Sequence, residues 1–329
     1  MSGGAGAVPA PRISIAMATF NGARFLQEQL DSFARQSLLP DELVVCDDGS
    51  TDATLAILAG FAATAPFVMR VCRNPQTLGF VRNFEKALTL CEGDLVYFSD
   101  QDDVWFSEKL AVMTAQMQCH PDWQVAVCDQ RPTTADLTAA PHTRLENYRR
   151  FGSGALQLSA GCAMVLRQSF KAVVLPLPPE CTSHDNWIHL LGRAYRVTGQ
   201  IDTALQYHRQ HGANVSTSPL SMPAGVGVTT LFRALARANP RLFWQKDAEM
   251  IAVAGDRIRL RHMQNAALGL DSARALSLVQ RELAARQSRL RIIARARWMR
   301  LPAILTLWRR GGYGRNFGWR SAALDLMRR

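Results

Sequence analysis

The sequence predicts an α/β protein built on a mainly parallel sheet. Short apolar runs rich in valine and isoleucine recur in the first half of the chain, at 13–19, 42–48, 67–73, 94–100 and 123–129. Runs that are short and apolar on both faces are typical of buried parallel strands. Stretches with helical spacing lie between them, at 22–36, 51–63, 80–91 and 106–118. This alternation favours a sheet covered by helices.

The remaining chain is less regular. Residues 130–160 are expected to be loop and crossover, 161–168 form another apolar run, and 200–215 read as a strand entering a polar loop. A helix is expected to begin near His184, and 218–227 has the composition of a linker. We therefore predict a flexible N-terminus over 1–11, an α/β domain over 12–217 and a basic helical region over 218–329.

The composition indicates a globular protein in a reducing compartment. The chain has 329 residues, of which 48% are hydrophobic and 20% charged, and its seven cysteines contain no CxxC pair. Free thiols inside apolar runs behave as small hydrophobes, which argues against a disulfide framework or a zinc site. We find neither a secretory signal nor a spanning apolar run. The expected location is the cytoplasm or a surface facing it.

Charge divides the chain into two unlike parts. Residues 1–218 carry 17 Lys/Arg and 21 Asp/Glu, a net of −4, whereas residues 219–329 carry 21 and 6, a net of +15. Almost all of the excess positive charge is arginine in the last third. The two parts are expected to do different jobs.

Polar residues follow each of the first four predicted strands. They are Thr19 to Asn21, Asp47 to Ser50, Asn74, and Asp100 to Asp103. Ligands of parallel sheets bind outside the carboxyl ends of the strands. One binding edge is therefore predicted to receive polar groups from four strands.

The carboxylates Asp100, Asp102 and Asp103 admit two interpretations. A solvated turn is the ordinary one, since aspartate is common in turns. The other is a metal site, because neighbouring like charges are costly to desolvate unless a cation lies between them. Oxygen ligands suit Mg²⁺ or Mn²⁺, which keep positions open for phosphate. On this second interpretation the metal holds a diphosphate.

The segment Asp47-Asp48-Gly49-Ser50 also admits two interpretations. It is an ordinary turn leading into a helix, and it is also a place where a carboxylate can accept hydrogen bonds from a base or a ribose hydroxyl. Thr19 and Asn21 are expected to line the same pocket.

The order of these motifs resembles family 2 glycosyltransferases with the GT-A fold. The resemblance lies in ISIAMATFNGARFLQEQLDSFARQSLLPDELVVCDDGSTD, NPQTLGFVRNFEKAL and GDLVYFSDQDDVW, which cover about residues 12–125. The later segments SHDNW (183–187) and YHRQHGANV (207–215) more narrowly resemble bacterial rhamnosyltransferase-like members that build surface polysaccharides. The arginine-rich remainder lies outside the resemblance.

The resemblance implies roles for particular residues. Thr19, Asn21, Asp47 and Asp48 are expected at the nucleoside, Arg82 and Asn83 near the nucleotide and donor sugar, and the family's DXD motif falls on Asp100-Gln101-Asp102. Asp102 and Asp103 are the favoured contacts of Mn²⁺ or Mg²⁺, although which of the three aspartates binds metal stays open. Asp185 matches the catalytic base. Arg209, Gln210 and His211 match a loop that closes over the diphosphate, where His211 is also a candidate metal ligand.

The implied chemistry displaces a nucleoside diphosphate from a sugar by an acceptor hydroxyl. A divalent ion with Arg or His stabilises the leaving group, and one carboxylate on the opposite face gives inversion. Asp185 suits that role, and it also suits a helix N-terminus, where the two roles are compatible. His211 is equally readable as an ordinary loop histidine. Trp105 and Trp187 either wall the acceptor site or belong to the core.

The basic C-terminal region has three interpretations. In 276–293 apolar residues fall on one helical face with arginines around it, and Pro302 is expected to interrupt that pattern. Tryptophans among the arginines favour a helix lying on anionic lipid, while packing on the catalytic domain and a nucleic-acid surface are the alternatives. We expect membrane association and no nucleic acid, because no nucleic-acid motif accompanies the charge.

The leading function is a metal-dependent inverting glycosyltransferase, acting from a dTDP- or UDP-linked donor on a glycan or lipid-linked acceptor. A nucleotidyl or phosphoryl transferase is the second hypothesis, although neither GxxxxGK[ST] nor GxGxxG is present. A non-catalytic basic membrane-binding protein on the same scaffold is the third. The predicted location is the cytoplasm, peripheral at the inner face of the plasma membrane.

Overall fold

The computed structural model describes residues 10–150, 160–212, 214, 241–313 and 318–328. Within them a single eight-stranded sheet runs through the first two thirds of the chain. Its strands are β1 (Ile13–Thr19), β2 (Glu42–Asp47), β3 (Val68–Arg73), β4 (Leu95–Ser99), β5 (Val104–Trp105), β6 (Val125–Thr133), β7 (Met164–Arg167) and β8 (Thr198–Arg209). The five runs predicted as strands are all strands.

The sheet is mixed and mainly parallel, with the order β3-β2-β1-β4-β7-β6-β8-β5. β1 pairs in parallel with β2 and β4, β2 with β3, and β6 with β8, whereas β7 is antiparallel to both its neighbours and β5 to β8. The expected α/β class is confirmed. Because Thr19 pairs with Asp47 and Met17 with Ser99, the residues that follow β1, β2 and β4 emerge at one edge.

Helices cover this sheet, five of them where the sequence predicts them and two more, α5 and α6, where it does not. They are α1 (Leu26–Ala34), α2 (Thr54–Ala62), α3 (Phe80–Leu90), α4 (Lys109–Cys119), α5 (Arg144–Arg150), α6 (Gln168–Val174) and α7 (His184–Tyr195), with a 3₁₀ turn at Gly161–Ala163. In α3 the residues Phe84, Ala87 and Leu88 are buried at the i, i+3, i+4 spacing that packs one helical face on a sheet. The helix expected near His184 begins at that residue.

The expectation of loop over 130–160 is wrong in two places. β6 continues through Thr133, and α5 follows it. The polar run that begins at Asp129 suggested a strand end, but this carboxylate is satisfied inside the fold, where Oδ1 accepts hydrogen bonds from the N–H groups of Gln130 and Leu145, both at 2.8 Å. A polar side chain whose hydrogen bonds are satisfied can lie inside a buried strand, so the strand continues beyond its apolar run. The predicted linker at 218–227 lies outside the described residues.

The C-terminal region is helical, as expected. Its helices are α8 (Arg241–Leu260), α9 (His262–Ala267), α10 (Ser272–Ile293), α11 (Arg300–Arg309) and α12 (Trp319–Met327), with a 3₁₀ turn at Arg297–Met299. α8 and α10 pack together and against α7, so that Ile251 and Val279 join the apolar core of the sheet domain. Asn265 donates a hydrogen bond to the Tyr195 hydroxyl at 2.5 Å. Part of the basic region therefore packs on the α/β domain.

The end of the C-terminal structure forms a second small core. Ile292, Ile304, Leu307 and Tyr313 cluster there with Ala322. The helical pattern predicted over 276–293 lies within α10, which ends nine residues before Pro302. That proline sits in the first turn of α11, where its missing N–H has no helical partner to lose. Among the described residues, the helices are too short or too polar to cross a bilayer.

Candidate active site

Asp47 organises the turn after β2. Its carboxylate is fully buried and accepts hydrogen bonds from the Gly49 and Ser50 N–H groups at 3.2 and 2.9 Å, from the Ser50 hydroxyl at 2.5 Å and from the Thr19 hydroxyl at 3.0 Å. The carboxylate therefore has four hydrogen-bond donors within the protein itself. Asp47 therefore shapes the edge by tying the end of β1 to the turn.

Asp48 holds the loop that precedes α3. Its Oδ1 accepts from Asn74 Nδ2 at 2.9 Å and the Leu78 N–H at 2.8 Å, and its Oδ2 accepts from the Gly79 N–H at 2.8 Å. Gly79 has φ of 83°, a conformation that glycine adopts without strain. Leu78 and Phe80 are left 38% and 39% exposed beside this anchor. No sequence signal singled out these two apolar side chains.

Asn21 joins the first two loops. Its φ is 47°, which asparagine tolerates better than most residues, and its side-chain oxygen accepts from the Thr51 N–H at 2.9 Å. Its own N–H donates to the Ser50 hydroxyl at 2.9 Å. The neighbouring Phe20 is 48% exposed at the same edge, held by backbone hydrogen bonds with the Gln101 side chain.

Arg82 and Asn83 lie at the start of α3 with their polar groups engaged within the chain. Arg82 pairs with Glu85 at 2.6 Å and donates to the Leu177 carbonyl at 2.8 Å. Asn83 is buried and donates to the Cys46 carbonyl at 2.8 Å. Arg82 thereby anchors the loop before α7, and Asn83 anchors α3 to β2.

Four carboxylates meet where β4 ends. Burial raises the pKa of Asp100 well above its usual value, and the negative charges of Asp102, Asp103 and Asp185 raise it further. Oxygens of Asp100 and Asp103 and the sulfur of Cys162 lie within 4.8 Å of one another. A cation placed among these carboxylates would offset the repulsion that raises the pKa of Asp100.

Cys162 is a member of this group that sequence reasoning missed. It belongs to the 3₁₀ turn before β7, whose antiparallel insertion beside β4 carries it to the cluster. Burial and the nearby aspartates raise the pKa of its thiol well above the usual value. A protonated thiol is a poor metal ligand, so a cation held in this group would be coordinated by the carboxylate oxygens.

Asp103 is the most enclosed aspartate of the cluster. It is 1% exposed, and its oxygens accept from the Arg209 N–H and from Gln206 Nε2, both at 3.0 Å. Burial, followed by the charge of Asp102, raises the pKa of Asp103 to about 7. Lys109 lies fully buried below, where its Nζ donates to the Cys162 carbonyl at 2.8 Å and stands 3.6 Å from the Trp105 ring centre. Burial lowers the pKa of Lys109 to about 8.

Asp102 faces the loop that follows β8. His211 Nε2 lies 2.7 Å from Asp102 Oδ2, and the His211 ring packs on Phe25 with centres 4.8 Å apart. Gln210 turns its amide towards the His208 ring at 3.1 Å. Of the predicted metal ligands, Asp102 and His211 therefore contact each other, whereas Asp103 is grouped with Asp100 and Cys162.

Arg209 lies inside the protein. Its side chain is 2% exposed, with Nε donating to the Asp102 carbonyl at 2.8 Å, Nη1 to the Ala135 carbonyl at 2.5 Å and Nη2 to Glu28 at 2.7 Å. The guanidinium carbon also stands 4.5 Å above the Phe25 ring. Arg209 thus braces the segment that carries Asp102.

Asp185 reaches the cluster from a separate element, the first turn of α7. Its Oδ2 accepts from the Gly161 N–H at 3.2 Å, and its Oδ1 accepts from the Asn186 N–H at 2.7 Å and from the Ser183 hydroxyl. The bond from the Gly161 N–H ties the start of α7 to the 3₁₀ turn that carries Cys162. The preceding His184 is stacked on Phe84 with ring centres 4.0 Å apart, and burial lowers its pKa.

The two tryptophans that sequence reasoning left open are core residues. Trp105 is 3% exposed and packs edge-on against Phe33 at 4.7 Å between ring centres. Trp187 is fully buried, and its Nε1 donates to the Val174 carbonyl at 3.0 Å. Both are therefore enclosed by the protein.

Comparison with known proteins places the first half of the chain in a family. Residues 14–174 match the family model described as "Glycosyl transferase family 2". The chain is 31% identical over 115 residues to "Putative glycosyltransferase EpsE" of Bacillus subtilis, covering 35% of this chain and 41% of the relative. It is 35% identical over 98 residues to "dTDP-rhamnosyl transferase RfbG" of Shigella flexneri, covering 29% and 34%. The chain thus spans less than half of these relatives.

A solved structure resembles the whole described fold. It is the mannosyltransferase PcManGT from Pyrobaculum calidifontis, in complex with GDP-Man and Mn²⁺. The TM-score is 0.52 at 18% identity, and the match covers 97% of this chain and 85% of the other. The GT-A fold implied by the sequence motifs is confirmed.

Proposed function

The chain belongs to glycosyl transferase family 2 through residues 14–174, and from this premise we propose that it is a metal-dependent inverting glycosyltransferase. It moves a sugar, with rhamnose the first candidate, from a dTDP- or UDP-linked donor to a hydroxyl of a growing surface glycan or a lipid-linked acceptor. The likeness to a relative named as a dTDP-rhamnosyl transferase supports this choice of sugar.

The convergence of Asp100, Asp102 and Asp103 with Asp185 is the observation that carries the proposal. The first three follow β4 as one group, and Asp185 comes to them on a separate helix. Asp102 and Asp103 would hold Mn²⁺ or Mg²⁺, with Asp100 beside Asp103 and His211 beside Asp102. When bound, the divalent ion neutralises the charge of the leaving diphosphate.

Asp185 is the proposed general base. As the acceptor oxygen bonds to the anomeric carbon, its proton moves to the Asp185 carboxylate and the nucleoside diphosphate leaves from the opposite face, which inverts the configuration. The carboxylate lies in the first turn of α7, where it is held by the Gly161 and Asn186 N–H groups. The three cluster aspartates are less suited to the role because they would be engaged with the metal.

The nucleotide would bind at the edge built by Asp47 and Asp48. In the structure these carboxylates accept hydrogen bonds from groups of the neighbouring loops and so hold those loops in place. Recognition of the base would therefore use the exposed side chains on these loops, including Phe20 and Leu78. Thr19, Asn21, Arg82 and Asn83 would act in the same way, as positioning residues around the donor. Arg209, Gln210 and His211 would order the loop near the diphosphate.

Replacement of Asp185 tests the proposal. We expect Asp185→Asn to lower transfer by about 10²- to 10⁴-fold, the range for loss of a general base. Binding of nucleoside diphosphate with Mn²⁺, measured by calorimetry, should be unchanged. Asp202→Asn is the matched control, since Asp202 is an exposed aspartate on β8. A variant Asp185→Asn that transfers sugar at the full rate would remove the base assignment.

The products distinguish the alternative functions. Glycosyl transfer releases an intact nucleoside diphosphate, whereas a nucleotidyl transferase cleaves the nucleotide within its phosphates. Chromatography of the reaction mixture separates these outcomes. Absence of turnover with every nucleotide sugar, combined with vesicle binding, would favour the non-catalytic membrane protein.

The basic C-terminal region would keep the enzyme close to a lipid-linked acceptor. We expect it to meet an anionic membrane at the cytoplasmic face, and we expect no nucleic-acid partner. The net charge of +15 over residues 219–329 supports this placement.

A further inference from the structure

A cavity of about 830 Å³ opens between α10, α11 and the end of α7. Seven arginines line it: Arg193, Arg281, Arg286, Arg289, Arg291, Arg295 and Arg310. The acidic side chain among the lining residues is Glu282. We call this cavity the arginine groove. It lies outside the candidate active site, and none of its lining residues belongs to the carboxylate cluster.

Three of the seven arginines have carboxylate partners, in the ion pairs Arg193–Glu282, Arg286–Asp247 and Arg289–Asp325. The other four, Arg281, Arg291, Arg295 and Arg310, have no carboxylate partner among the described residues. The segments outside the described residues contain no aspartate or glutamate in their sequence. The side-chain carboxylates of this chain therefore leave four positive charges around one cavity uncompensated.

An exposed apolar ridge adjoins this groove. It consists of Trp298, Leu301, Leu305 and Trp308, which are 82%, 50%, 49% and 42% exposed. The last three are spaced by four and three residues, so they share one face of α11. Single exposed apolar residues are ordinary, but a continuous ridge with two tryptophans on a monomer marks an interaction surface.

α11 separates three environments around its axis. Arg300, Ile304 and Leu307 are buried against the small C-terminal core. Pro302 and Thr306 line the arginine groove. Leu301 and Leu305 are half exposed on the remaining face, and Trp308 extends that face to the edge of the small core, where its ring centre lies 6.0 Å from that of Tyr313. One short helix thus puts an apolar face and an arginine-lined face side by side.

We propose that this surface docks on an anionic lipid bilayer, with the apolar ridge entering the interface and the arginine groove taking lipid phosphate groups. Tryptophan and leucine on one face beside a basic face is the pattern of helices that lie in the membrane interface. Guanidinium groups bind phosphate through paired N–H donors. The surface deepens the proposed function, because it would bring the enzyme to a lipid-linked acceptor, yet its binding does not depend on catalysis.

Flotation with vesicles tests the surface. The full chain is mixed with vesicles of phosphatidylcholine alone and with vesicles that contain phosphatidylglycerol. We expect binding to the anionic vesicles only. Arg291→Gln with Arg295→Gln should weaken that binding by about 25-fold, from about five-fold for each basic residue near the surface. Arg259→Gln with Arg274→Gln is the matched control, since both are exposed arginines of α8 and α10 outside the groove.

The ridge has its own variants. Leu301→Glu with Leu305→Glu should abolish vesicle binding, whereas Leu260→Ser with Met263→Ser, at residues 86% and 80% exposed outside the ridge and the groove, should leave it unchanged. Quenching of tryptophan emission by brominated acyl chains gives a second measurement on the parent protein. That quenching should fall in Trp298→Phe, a change at an 82% exposed site that does not threaten folding.

Several results would overturn the docking surface. They are equal binding to neutral vesicles, unchanged binding by the groove and ridge variants, and tight binding of inorganic pyrophosphate or of nucleic acid without vesicle binding. Hydrolysis of nucleotide sugar in solution should be the same in all these variants. If vesicle binding fails while hydrolysis persists, only the docking surface is lost, and if hydrolysis is absent while vesicles bind, the enzymatic proposal fails instead.

Discussion

Arg209 is a residue for which the role implied by the sequence resemblance and the position in the structure differ, and the difference can be tested. The sequence resemblance assigns it to a loop over the diphosphate, whereas its side chain is 2% exposed and bound to groups of this chain. Arg209→Lys separates the two roles, because lysine retains the positive charge but replaces the planar fork by a single nitrogen.

The expected loss follows from the contacts of Arg209. A lysine nitrogen can replace one of the guanidinium bonds to the carbonyls of Asp102 and Ala135, so one of these and the bond to Glu28 are the contacts at risk. A hydrogen bond to a charged group contributes about 1.5–3 kcal/mol. The Glu28 pair adds less than about 1 kcal/mol, since that glutamate is 52% exposed. The free energy of unfolding should fall by about 2–4 kcal/mol.

Urea denaturation without metal or nucleotide measures this change, with Glu28→Gln as the control that removes only the exposed partner. The control should lose less than about 1 kcal/mol. Affinity for nucleoside diphosphate, extrapolated to the folded fraction, should change little in Arg209→Lys. If that variant keeps its full stability and loses nucleotide affinity, Arg209 contacts the diphosphate and the bracing role is wrong.

Three further predictions concern buried charges. Because burial raises the pKa of Asp103 from 3.8 to about 7, the folded state holds a proton that the unfolded state releases, so stability should fall by about 4 kcal/mol between pH 4 and 7 in metal-free protein, and Asp103→Asn should flatten that slope in denaturation measured across pH. Burial lowers the pKa of Lys109 to about 8. The free energy of unfolding of the parent should therefore rise by about 3 kcal/mol relative to that of Lys109→Met between pH 8 and 10.5. Stability curves of the two proteins that stay parallel over this range would contradict the prediction. Asp325 is fully buried between Arg289 and Arg328, so Asp325→Ala should cost about 3–5 kcal/mol in urea unfolding, against less than about 1 kcal/mol for the exposed control Asp256→Ala.

The sequence was sufficient for the sheet and for the meeting of polar groups at its edge. Each strand of the first half has its own apolar run, and the parallel order carries Thr19, Asp47 and Asp100 to one place regardless of distant contacts. Trp105 could be assigned to the core only from its place in the structure. In the sequence, an aromatic residue next to an acidic motif is equally typical of a core residue and of a residue that lines a site.

The contacts that fix the site could not be predicted in the same way. Asp103 accepts a hydrogen bond from Arg209, 106 residues away in sequence, and Cys162 joins the cluster only because β7 is inserted antiparallel between β4 and β6. Neither contact leaves a local signature in composition or spacing. The same is true of the start of α5, where the Leu145 N–H is held by the Asp129 carboxylate of β6.

The bond between Asp103 and the Arg209 backbone has a consequence for how this protein is made. Synthesis delivers the two carboxylate-bearing segments, the turn after β4 and the start of α7, before the strand β8 that restrains Asp103. Contacts between such distant segments form slowly, since the loop between them must first close. A chain interrupted before β8 would expose a cluster of negative charges with no restraint on its geometry. The last strand of the described sheet is thus the one that fixes the geometry of Asp103.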